Sequence, residues 1–288
     1  MKKTLILTED RNEKSANIIA TIISHTKIKE IGDTFDIKKY DNIVLIVSME
    51  NILNDFIRAN GDRNIFSELL INLKVNCFDK TFKLGILFES NQISKIEQVV
   101  KMLKESVLIA DDYVFINRDV ANDAVLSGLE LRDSLFTTYK QFDRDKLKEI
   151  IEDISINHKV MSLSSSTNDI TRTTPIEYMY IDGNYYVITE GGLKFANIYI
   201  NDKVSFSIND EFTTMNKVLG VQCDGIASVI DMYSEEYYKI MSTKGISKEN
   251  LNNLVINLYL IKIVPKNYTI LNYEFKKEGY DFYQYLSL

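Results

Sequence analysis

The chain has 288 residues, 45% of them hydrophobic, and a formal net charge of −7. That length is expected to form two domains, each able to bury a core. The acidic balance argues against broad binding to nucleic acid or to an anionic membrane, both of which are driven by positive charge. The opening "MKKTLILTED" reaches Glu9 and Asp10 too soon for a secretory signal, and no apolar run has bilayer-spanning length, so a cytoplasmic location is expected. Cys77 and Cys223 lie far apart and read as free thiols. His25 and His158 have no cysteine or histidine cluster around them, and no metal site is expected.

In the first half, short apolar runs alternate with helical patterns. "TLILT" (Thr4–Thr8) reads as a buried strand, and Ile18, Ile19, Ile22 and Ile23 then form one helical stripe. A short strand is expected around Ile28 to Gly32, and a buried one at Asn42 to Ser48. Ile65, Phe66, Leu69, Leu70 and Leu73 mark a second helix; Lys83 to Glu89 marks another strand. Ile93, Ile96, Val99, Val100 and Leu103 mark a third helix, before a strand at Asp112 to Asn117. Strands that are apolar throughout, separated by amphipathic helices, indicate a parallel sheet covered on both faces. Residues 1–132 are therefore expected to be a doubly wound α/β domain.

From residue 133 the rhythm changes. Asp143 is placed to cap a helix whose Leu147, Ile150, Ile151 and Ile154 face inward. Strands follow: "HKVMSLSSS", then a hairpin over "ITRTTPIEYMYIDGNYYVITE" with Asp182-Gly183 at its tip, then "KVSFSI" and "KVLGVQCDGIASVID". A helical insert is expected over about 234–253, and "VINLYLIKIVP" and "YTILNYEF" read as two closing strands. Six or seven antiparallel strands with few helices predict a small barrel or sandwich.

The stretch "TEGGLKFANI" (Thr189 to Ile198) places Gly191 and Gly192 directly before Lys194 and a helix. A glycine turn, free helix N–H groups and a lysine together suit a phosphate; the plain alternative is a strand-to-helix turn with a solvated lysine. Tyr178, Tyr180, Tyr185 and Tyr186 read as barrel core and dimer surface rather than as a wall or stack for a ligand. His158 reads as a strand start, Cys223 as a small core residue, and Glu235 and Glu236 as a solvated helix N-terminus.

The order of these parts resembles the FMN-binding split-barrel family, the pyridoxamine 5'-phosphate oxidase-like proteins, over roughly residues 143–285. The shared series is the leading helix "KLKEIIEDI", the small-residue strand "VMSLSSS", the Pro175 strand "RTTPIEYMY", the Asp-Gly hairpin, the glycine turn and "FANI", and the long strand with an internal glycine. The resemblance implies FMN bound across a homodimer interface. Thr189 would offer a hydroxyl to its phosphate, Lys194 and Arg172 would offer charge, and the backbone of Thr173, Thr174 and Ile176 would run beside the flavin ring. Where the family often has Ser-Arg-Lys, this chain has Gly192-Leu193-Lys194, so backbone N–H groups at Gly191 and Gly192 would substitute for the missing hydroxyl and charge. An oxidoreductase with a reduced nicotinamide as electron donor is the activity implied. The ending "EGYDFYQYLSL" lacks the arginine and histidine of a true pyridoxamine 5'-phosphate oxidase. A non-enzymatic flavin-binding or interaction protein is the alternative; haem, with only two histidines to ligate it, is disfavoured.

The first half resembles flavodoxin in its strand and helix order. Its loop "TEDRNEKS" carries Glu9, Asp10 and Glu13 and no glycine, so this flavodoxin-like domain is expected to hold no FMN of its own. The predicted fold class is thus a doubly wound parallel sheet in residues 1–132 followed by a split β-barrel with few helices in residues 133–288.

Overall fold

The computed structural model describes residues 2–57, 73, 75, 79–105 and 112–288. The chain divides into two compact units, residues 1–139 and 140–288.

In the first unit five parallel strands lie in the order β2-β1-β3-β4-β5. They are β1 (Thr4–Thr8), β2 (Thr26–Glu30), β3 (Asn42–Ser48), β4 (Thr81–Phe88) and β5 (Asp112–Asn117). Every residue of β1 is buried, as a central strand covered on both faces requires. Leu5 and Leu7 pack on one side with Leu45, Val47 and Ile86; Ile6 packs on the other with Val44, Ile46 and Ile116. The second side is covered by α1 (Lys14–Ile23) and α4 (Asp123–Phe136), the first by α2 (Met49–Ile57) and α3 (Ile96–Glu105). A Cβ on Gly128 would stand 2.9 Å from Ile22 Cδ1, so glycine sets how closely α4 approaches α1. Helix α4 runs through residue 132 and lies wholly in this unit.

Two details differ from the sequence reading. Ile93 is exposed, because Glu89 and Gln92 form a capping box that makes residues 90–95 a tight turn and delays α3 to Ile96. Helix α2, which the sequence reading lacks, follows β3 without a linker. Of the helix expected on Ile65, Phe66, Leu69, Leu70 and Leu73, only Leu73 lies among the described residues, and it is buried; Cys77 also lies outside them.

The second unit opens with α5 (Arg144–Asn157), capped by Asp143, whose carboxylate accepts from Lys146 N at 2.9 Å. Its antiparallel sheet runs β7-β6-β10-β11-β12-β9-β8, with β13 also on β12. The strands are β6 (Val160–Thr167), β7 (Ile170–Glu177), β8 (Met179–Ile181), β9 (Asn184–Thr189), β10 (Lys203–Asn209), β11 (Leu219–Ile230), β12 (Tyr259–Asn272) and β13 (Tyr283–Ser287). Terminal β7 approaches β9 near the other end, so the sheet curls into a half-barrel. Its inner face buries Leu163, Phe206, Val221, Cys223, Ile261 and Ile263, and α5 adds Leu147, Ile151 and Ile154. The Tyr185 hydroxyl meets Ser155 Oγ at 2.6 Å and accepts from Tyr268 at 3.2 Å, which ties α5 to the strands. Asp182 and Gly183 both have positive φ, 51° and 77°, the two-residue hairpin turn that the sequence signals. Helix α6 (Leu193–Ile200) links β9 to β10, and α7 (Glu235–Thr243) and α8 (Lys248–Asn253) form the insert. Among the described residues no helix is long and apolar enough to cross a membrane.

The two expected closing strands are one strand, β12, of 14 residues. A proline has no N–H to donate to a ladder, and a bulge is where a strand tolerates one. Pro265 pairs with Gly225 and Asn267 with Asp224, which leaves Lys266 as the extra residue of such a bulge. Strand β13, within "EGYDFYQYLSL", is a further element that the sequence reading lacks. His158 is the C-cap of α5 rather than the first residue of a strand.

A Cβ on Gly225 would fall 2.9 Å from both Ile263 Cγ2 and the Val264 carbonyl oxygen. Gly225→Ala is expected to destabilise this unit by about 1–3 kcal/mol, the usual cost of overpacking, read from its urea midpoint. His158 contacts the Ile154 carbonyl through Nδ1 and the Asp210 carboxylate through Nε2, each at 2.8 Å. Burial lowers its pKa, but the Asp210 and Ile154 hydrogen bonds outweigh that and raise it above the ordinary 6.5. The resulting stabilisation is present below 6.5 and is lost as pH rises through the higher folded value. The stability difference between the wild type and His158→Gln is therefore expected to be largest at about pH 5.5 and to shrink in alkaline buffer, as urea titrations at several pH values would register.

Candidate functional site

Strand β9 ends at Thr189, and the chain turns through Gly191 and Gly192 into α6. Gly191 has φ +125° and Gly192 φ +108° with ψ 179°, backbone that side-chain-bearing residues rarely adopt. Gly192 is the N-cap and supplies no side-chain acceptor, and the first turn carries no acidic residue. Lys194 stands in that turn against the helix dipole. It is 7% exposed, and its Nζ donates to the Gly191 carbonyl at 2.5 Å. Burial, and then the charge of Arg172, lower its pKa.

Lys194 and Arg172 are carried on elements tied to the same strand, β6. Asn197 Nδ2 donates to Ser165 O at 3.1 Å, and Asn201 Nδ2 to Ser166 O at 2.9 Å, so α6 is fixed to β6. Arg172 lies directly across from Ser165 on β7. The described residues place no carboxylate in an ion pair with either cation.

The other predicted site residues separate into groups. Thr189 is half-buried beside Tyr259 of β12, next to the glycine turn. Thr174 and Ile176 are half-buried, and Ile176 packs against the core. Thr173 is exposed and shares a 2.9 Å hydrogen bond with Ser164 across the strands. Strand β7 ends the sheet order, so among the described residues one of its edges has no strand of this chain beside it. A groove of about 540 Å³ includes Arg172 and Thr173 in its lining, but not Thr189, Gly191, Gly192 or Lys194.

Tyr178 and Tyr185 are buried in the barrel core and Tyr180 packs partly buried against it, whereas Tyr186 is buried in a separate cluster with Tyr237 and Ile240 of α7; burial raises the pKa of all four. Burial pushes the Cys223 thiol up to about 12, which leaves it protonated and unreactive. Glu235 stands exposed in the first turn of α7, as expected, while Glu236 beside it, with its side chain 39% exposed, is also tied to the strands. Glu236 accepts from Lys262 Nζ at 2.8 Å and from Tyr186 OH at 2.9 Å, and those bonds lower its pKa. The partners lie 26 and 50 residues away in sequence, so no local pattern signals them.

In the first unit, the chain's own carboxylates occupy N–H groups at the carboxyl ends of the strands. Glu9 accepts from Ser48 N at 3.1 Å and from Asn51 Nδ2 at 2.6 Å. Glu13 accepts from Ser15 N at 3.2 Å and pairs with Arg118 at 2.9 Å. Asp119 accepts from Ser90 N at 2.7 Å, and Asp123 from Asn117 N at 2.5 Å.

No protein-family model matches the sequence, and no curated protein does. Among solved structures, the chain is similar to a candidate pyridoxamine 5'-phosphate oxidase of Listeria innocua, at 22% identity and TM-score 0.37 over 44% of this chain and 98% of that one. It is similar to the heme storage protein HutZ of Vibrio cholerae at 16% identity and TM-score 0.36, over 42% of this chain and 90% of that one. A FAD-binding protein of Mesorhizobium loti is similar at 14% identity and TM-score 0.33, over 42% of this chain and 89% of that one.

Gly192→Ala forces a side chain into backbone of φ +108°, a strain of about 1–3 kcal/mol. The variant is expected to lower the thermal midpoint of the second unit, and an unchanged midpoint would show that the turn relaxes freely.

Proposed function

We propose that residues 140–288 form an FMN-binding split barrel that works as a homodimer and passes electrons from a reduced nicotinamide to an acceptor. The observation that carries this reading is Lys194, buried in the first turn of α6 after a glycine turn, on a helix tied to β6 opposite Arg172, with no carboxylate in an ion pair with either cation among the described residues. A flavin phosphate fits that donor set: it would neutralise both cations and accept from the turn's N–H groups. Thr189 would add a hydroxyl. The free edge of β7, with Arg172 and Thr173 exposed on it, would orient the ring, and a second copy of the barrel would close the site. When bound, the flavin supplies the electron chemistry.

The first unit is read as a flavodoxin-like domain without its own FMN. Its strand order, with the switch point between β1 and β3, supports the first part. The carboxylates of Glu9 and Glu13 support the second, since they take N–H groups that a phosphate would need.

One observation favours a second reading, a non-enzymatic flavin-binding or interaction protein. The Lys194 ammonium already spends a donor on Gly191 O, which weakens its hold on any anion. Colour and turnover separate the readings. Yellow protein that releases FMN on denaturation, and bleaches with NADH or NADPH, supports the oxidoreductase; colourless protein that takes up no FMN removes both flavin readings. Lys194→Ala is expected to weaken FMN binding by roughly ten- to a hundredfold, the worth of a charge-assisted hydrogen bond, measured by fluorescence quenching. Unchanged affinity would remove Lys194 from the site.

A further inference from the structure

The outer face of the half-barrel carries a groove with two lysines, Lys203 and Lys266, that the flavin corner does not use. Strands β6, β7 and β10 turn Ser164, Thr173 and Ser205 outward in one row, in register across the sheet. These hydroxyls floor the 540 Å³ groove, a volume within the range of small-molecule sites. Lys203 of β10 and Lys266 of β12 line it together with Arg172. Lys266 is the extra residue of the β12 bulge, a device that re-aims a side chain.

Some cations of this acidic chain, among them Arg11, Lys83, Arg118, Lys244 and Lys262, make ion pairs. Among the described residues, Arg172, Lys203 and Lys266 make none, although Asp224, paired across the strands with Ser205, lines the same groove. Lys203 and Lys266 line this hydroxyl-floored groove in a protein of net charge −7. Such a place attracts an anion, and the hydroxyls can bond its oxygens.

We propose that the groove binds a phosphate-bearing small molecule through Lys203 and Lys266, at a position separate from the Lys194 corner. Its role as a co-substrate rests on the flavin reading; the anion site itself does not.

Inorganic pyrophosphate and ADP are the probes, titrated by calorimetry into the full chain with and without added FMN. The wild type is expected to bind pyrophosphate with saturation. The double variant Lys203→Gln/Lys266→Gln is expected to bind it more weakly by roughly tenfold or more, while retaining FMN like the wild type. Lys194→Ala should keep pyrophosphate affinity while losing FMN. Tighter binding of ADP than of pyrophosphate would identify a nucleotide; equal binding would identify the phosphates alone as what is recognised. Absent binding to the wild type, equal affinity in the double variant, or loss of pyrophosphate binding in Lys194→Ala would each overturn the proposal. So would a double variant that sediments as a monomer where the wild type is a dimer, since the lysines would then serve the contact between copies. A chain that takes up no FMN but binds pyrophosphate in this pattern would sink the flavin reading and leave the groove standing.

Discussion

Lys194 and Arg172 stand on elements that the second unit ties together, and among the described residues neither has a carboxylate in an ion pair with it. Asn197 ties α6 to Ser165, and Ser165 faces Arg172 across the β6–β7 ladder. The helix dipole opposes the lysine's charge, because Lys194 stands in the first turn of α6. Burial lowers the lysine's pKa, and so does Arg172.

The first unit meets the same problem with the opposite solution. The carboxyl ends of a doubly wound sheet present backbone N–H groups toward a crevice at the switch point. Here Glu9, Glu13, Asp119 and Asp123 accept from four of them. A carboxylate tethered to its own chain needs no ligand and repels one of like charge. In the second unit the equivalent place is capped by a glycine that has nothing to offer an N–H. The two units therefore differ in where they leave positive potential unanswered.

How much of this is legible in the sequence depends on range. The central strands of the first unit are readable because a doubly covered strand is apolar at nearly every position, as β1 is. The hairpin tip is readable because Asp182 and Gly183 tolerate positive φ, and the glycine turn for the same reason. Strand β12 reads as two because Pro265 normally breaks a ladder, and the bulge that excuses it depends on β11, which is remote in sequence. Strand β13 escapes notice because one of its two inward positions is a glutamine, Gln284, so the apolar alternation is broken. At the site, the residue types are visible but their grouping is not: nothing local says that Ile176 turns into the core, or that Glu236 meets Tyr186 and Lys262.

The serines of β6 and β10 explain why the groove keeps its charge. An exposed strand position is free to carry a glutamate, and a glutamate across from Lys203 or Arg172 would neutralise it at little cost. At Ser164, Ser166 and Ser205 the chain instead has side chains too short to reach a neighbouring ammonium and too small to fill the groove. They leave the floor low and the cations unanswered. Asp224, the carboxylate in the lining, stands at the bulge, where the strand register shifts. The same small side chains thus create both the space and the potential, which is why the groove and its charge arise together rather than as separate accidents of the surface.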